Sequence, residues 1–90
     1  MLIKLIQIIK DHRGDPCLGE VFLSKESVVA SSVRSERGAM VTEAVNLGIS
    51  KHVGVSSLTI LEGGVAKRVI VIGSPREVKE KLGIKNILRG

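Results

Sequence analysis

The sequence predicts an α+β fold in the order β(β)αββα: a small mixed sheet, one long helix and a short capped C-terminal helix. Three observations predict it. Val69-Ile70-Val71-Ile72 is an unbroken β-branched run, as in a strand buried on both faces, and Ser74-Pro75-Arg76-Glu77 follows it at once. That tetrapeptide is a capping box with proline at the first helical position. Glu62-Gly63-Gly64 separates two β-rich runs, which signals a hairpin because such turns need positive φ. Residues 25–47 carry apolar side chains at helical spacing.

Taken in order, residues 2–10 read as a buried strand and Asp11-His12-Arg13-Gly14-Asp15-Pro16 as a turn. Gly19 to Leu23 reads as a second short strand. Ser24 or Ser27 can cap the helix that follows. Val28, Val29, Ala30 and Val33 form its apolar stripe, opposite Arg34, Glu36 and Arg37. Apolar spacing resumes at Met40, Val41, Ala44, Val45 and Leu47, so 25–47 is one helix kinked at Gly38 or two helices. His52 to Leu61 is β-rich and pairs through the glycine turn with the strand ending at Ile72. In the last helix Val78 and Leu82 face the core and Gly83 supplies a left-handed stop. Ile84 to Leu88 is a final strand or a basic tail.

Ninety residues make a single domain, 1–90, that buries roughly 60–65% of its unfolded surface. With 43% apolar residues and one aromatic, Phe22, the core is aliphatic and Phe22 is assigned to it. Small aliphatic cores are often completed by a subunit interface, so a homo-oligomer is expected. Cys17 has no intramolecular disulfide partner, which points to a reducing, cytoplasmic setting. No segment reads as a signal peptide or a membrane span; Lys4, Gln7 and Lys10 interrupt the apolar start. Scarce Asn, Gln and Cys beside abundant Ile, Val, Lys and Glu suggest a heat-adapted (thermophile) source.

Charge is unevenly placed. In residues 1–62 basic and acidic side chains cancel. Residues 63–90 hold Lys67, Arg68, Arg76, Lys79, Lys81, Lys85 and Arg89 against Glu77 and Glu80, which accounts for the whole net charge of +5. That asymmetry points to a polyanion, DNA or other nucleic acid met through phosphates before an anionic membrane surface, against the alternative of a solvated helix face and tail. A stacking platform is excluded, since Phe22 is the only aromatic.

Other chemistries fare worse. His12, Cys17 and His52 are three scattered ligands where a structural zinc site wants four, so no metal or other cofactor is expected. Cys17 with a histidine and Asp11 or Asp15 could make a nucleophilic site only if the fold assembled it, and a non-enzyme is expected. A helix-turn-helix over 40–58 fails because Lys51 to Leu58 reads as strand. Ser74 and Arg76 offer an anion site at a helix start, but Glu77 is placed to take the same donors.

Four stretches resemble the RemA family of small bacterial DNA-binding regulators of extracellular-matrix genes. They are Ile3-Lys4-Leu5-Ile6-Gln7-Ile8, Leu23-Ser24-Lys25-Glu26-Ser27, Arg37-Gly38-Ala39-Met40-Val41-Thr42-Glu43-Ala44, and the glycine turn with Ser74-Pro75-Arg76-Glu77-Val78. The resemblance implies a ring-like oligomer that binds DNA through loop residues such as Lys51 and His52. The chain departs from the family in lacking a glycine-rich segment after the first strand. Its loop Gly48-Ile49-Ser50-Lys51-His52 also stands where the family carries an arginine-rich one. The expectation is a small basic oligomeric domain that binds nucleic acid, a transcriptional regulator in the RemA sense. The alternatives are an assembly module acting through its own interface, or a small-anion sensor.

Overall fold

The computed structural model describes residues 1–84. Five strands run in it: β1 (Ile3–Lys10), β2 (Pro16–Leu23), β3 (Val28–Ser35), β4 (Val55–Glu62) and β5 (Val65–Ile72). Two helices, α1 (Ala39–Asn46) and α2 (Pro75–Leu82), and a 3-10 turn at Lys25–Ser27 complete it. The strands form one sheet in the order β2-β1-β5-β4-β3, with every neighbouring pair antiparallel.

The turns form for the anticipated reasons. Asp11 Oδ1 accepts from the amides of Arg13 at 2.9 Å and Asp15 at 3.0 Å, closing the β1–β2 hairpin. Glu62 pairs with Val65 across a two-residue loop whose glycines have φ of 54° and 83°, the pattern of a type I′ turn. Ser74 Oγ accepts from the Glu77 amide at 3.2 Å, and Glu77 Oε1 accepts from the Ser74 amide at 3.4 Å. Gly83 ends α2 in the left-handed region.

The fold differs from the expectation in the middle of the chain. The helix over 25–47 is replaced by the 3-10 turn, strand β3 and the eight-residue α1, and the sheet is antiparallel rather than mixed. The physical reason is a bulge. Val29 faces Thr59 and Arg34 faces Ser57, so residues 30–33 stand against Leu58 alone. The extra residues put Val28 and Val33, five apart, on the same buried face, while Val29 and Val33, whose spacing of four reads as one face of a helix, are separated by the bulge. The final-strand-or-tail reading of 84–88 falls, beyond Ile84, outside the described residues.

One sheet face carries the core: Leu5, Leu23, Val28, Leu58, Ile60, Val69 and Val71, closed by Val78 and Leu82 of α2. Burial along β5 alternates, so Val69 and Val71 point inward while Ile70 and Ile72 are only half-buried, not enclosed on both faces. Phe22 is 55% exposed on the outer face rather than in the core. Ala44 and Val55 are buried outside this cluster, where α1 packs on the start of β4.

The sheet must coil strongly. β2 and β3 are its two edges, yet only residues 24–27 join them. Laid flat, Leu23 and Val28 would be about 30 Å apart, whereas that stretch of chain reaches at most about 18 Å. Coiling brings both edges to one core, which Leu23 and Val28 share.

Candidate functional site

The basic residues singled out in the sequence separate into two groups. Lys67 and Arg68 are consecutive on β5 and point to opposite faces, both exposed. Arg68 is ion-paired to Glu36 across the outer face. Arg76 and Lys81 are exposed on α2 and Lys79 is half-buried there. Lys85 and Arg89 lie outside the described residues.

The second group gathers at one end of the sheet. The Gly73 amide donates to the Gly54 carbonyl at 2.6 Å, and Ser56 Oγ donates to the Gly73 carbonyl at 2.7 Å. A Cβ built on Gly54 would sit 2.9 Å from the Ser74 Cα, so the loop before β4 lies against the start of α2. Lys51 and His52, exposed in that loop, thereby share an end of the molecule with Arg76. The loop holds its own shape through the His52 amide to Ser50 Oγ at 3.2 Å and the Val53 amide to the Ser50 carbonyl at 3.0 Å.

Ser74 and Arg76 offer less to a small anion than to a helix. The Glu77 carboxylate already accepts from the Ser74 amide and hydroxyl, occupying the place an anion would take. His52 lies at the opposite end of the strands from His12 and Cys17. Among the described residues no group of three or more His, Cys, Asp or Glu could hold a metal. No described helix is long and apolar enough to cross a membrane.

A groove that the sequence reading missed opens on the outer face above β4, with a volume of about 600 Å³. Its floor is the short side chains of Ser57 and Thr59. Arg34 and Glu36 rise from the β3 side and Arg68 from β5. The bulge makes the opening, and Ser32 pins it: its hydroxyl donates to the Val29 carbonyl and accepts from the Thr59 amide at 2.8 Å. A side chain thus replaces the missing ladder partner. Adjacent serines, Ser31-Ser32, inside a valine-rich run were the available signal, and on a helix they read as a solvated face.

No protein-family model, curated protein or solved structure matches this chain.

Proposed function

We propose that the protein is a non-enzymatic domain that binds nucleic acid through its phosphates, a small regulator of the kind the RemA resemblance implies. The observation that carries the proposal is the backbone contact between Gly54 and the start of α2, which brings Lys51 and His52 to the same end as Arg76. Lys79, one turn on from Arg76, extends that basic strip along α2, whereas Lys81 lies on the other flank of the helix and Lys67 and Arg68 stand apart on β5. Phosphate contacts need cations along a track rather than any catalytic geometry.

The test is the salt dependence of binding to random duplex DNA. Lys51→Glu with Arg76→Glu should lower the log-log slope by about 1.8, two lost phosphate contacts at about 0.9 each. Lys67→Glu should leave the slope unchanged. Absence of binding at low salt, or a slope that follows Lys67 instead, would refute the reading.

A second reading, an assembly module, is supported by the outer sheet face. Ile6, Ile8, Ile70 and Ile72 flank the Gln7–Val71 pair there, with Leu18 and Phe22 beside them, and Lys4 and Glu20 at the rim form an ion pair. A face carrying both charges around an apolar centre is self-complementary, as a two-fold contact requires. It predicts a defined oligomer whose mass falls to that of one chain in Phe22→Asp. A wild-type monomer at high concentration would rule it out. Both readings hold together if oligomerisation multiplies a modest phosphate-binding strip by avidity.

A further inference from the structure

We infer that the groove above β4 is a binding site for a small, singly charged, hydroxylated carboxylate, a sugar acid. The inference is independent of the nucleic-acid reading, because the groove lies on the outer sheet face and shares no residue with the Lys51–Arg76 end.

Charge sets the ligand's sign. Two arginines and one glutamate line the groove, which leaves a single positive charge. Glu36, its side chain only 16% exposed, holds Arg68 in place, so that guanidinium is ordered in advance. Arg34 has no ion pair or side-chain hydrogen bond among the described residues. A free guanidinium fork is the group that grips a carboxylate through two parallel hydrogen bonds.

The floor sets the rest of the ligand. Ser57 is 5% exposed and Thr59 half-buried, and neither hydroxyl has a protein partner among the described residues. Each can donate one hydrogen bond and accept others, which suits a ligand bearing hydroxyls rather than an apolar one. The volume, about 600 Å³, falls inside the range of small-molecule sites, roughly 300–1,000 Å³.

The experiment titrates the isotope-labelled full chain with D-glucuronate and, separately, with D-glucose, the same ring without the carboxylate, while amide resonances are followed. Glucuronate should shift the amides of residues 34–36 and 57–59 saturably, and glucose should bind at least about tenfold more weakly. Arg34→Ala should weaken glucuronate by at least about tenfold, the worth of one charge-assisted pair. Thr59→Val keeps the backbone bond to Ser32 and the β-branch, and should also weaken binding without lowering the thermal midpoint. The inference is overturned if those amides do not respond, if the response maps to residues 51–54 and 74–76, or if both variants bind as the wild type does.

Discussion

A methyl group added at Gly54 has nowhere to go. It would lie 2.9 Å from the Ser74 Cα and 3.1 Å from its nitrogen, both backbone atoms held by the Gly73–Gly54 hydrogen bond. Gly54→Ala is expected to cost about 1–3 kcal/mol of stability, the usual penalty of forced overpacking. Gly19→Ala is the control. Its new methyl would come within 2.8 Å of Ile9 Cδ1, the end of a flexible and 40% exposed side chain that can turn aside. Urea denaturation of both variants should find the smaller loss at Gly19. At the helix start, Ser74→Ala removes the acceptor for the Glu77 amide and should cost about 1 kcal/mol, read from the same curves. These positions were legible to different degrees. The capping box could be read because its parts are four consecutive residues, whereas the tightness at Gly54 depends on a partner twenty residues away.

Among the elements, β3 departs furthest from what its residues suggest in isolation. A strand alternates faces, so two buried valines five apart argue against one. The bulge removes that contradiction and Ser32 stabilises the bulge. Ser32→Ala leaves the Thr59 amide without its acceptor and should cost about 1–3 kcal/mol, with faster hydrogen exchange at that amide. A bulge has no period, which is why the strand was hidden while the β4–β5 hairpin, announced by two glycines, was plain. The groove was hidden with it, since Arg34, Glu36, Ser57 and Arg68 become neighbours only once β3 is known to lie beside β4. The basic residues, by contrast, were legible as charges but not as places: Lys67 and Arg68 are adjacent in the chain and face opposite ways.

For the whole molecule, size governs the response to damage. A chain of 90 residues has a total stability of roughly 5–13 kcal/mol. Replacement of Leu58, 1% exposed at the centre of the core, by alanine is expected to cost about 2–5 kcal/mol, a large share of that total, read as a lower midpoint in urea. The sheet itself is unevenly joined. β1 and β2 pair along their full length, as do β4 and β5, but the described ladder between β1 and β5 is confined to Gln7 opposite Val71. Mechanically, that makes the β1–β5 line a seam between two hairpins. Ile3 and Val65 lie at opposite ends of it, so force applied between them loads that one pair in shear. Force between Val55 and Val65, at opposite ends of the β4–β5 ladder, loads its eight pairs in the same way. Single-molecule pulling with handles at 3 and 65 should therefore part the strands at a lower force than handles at 55 and 65.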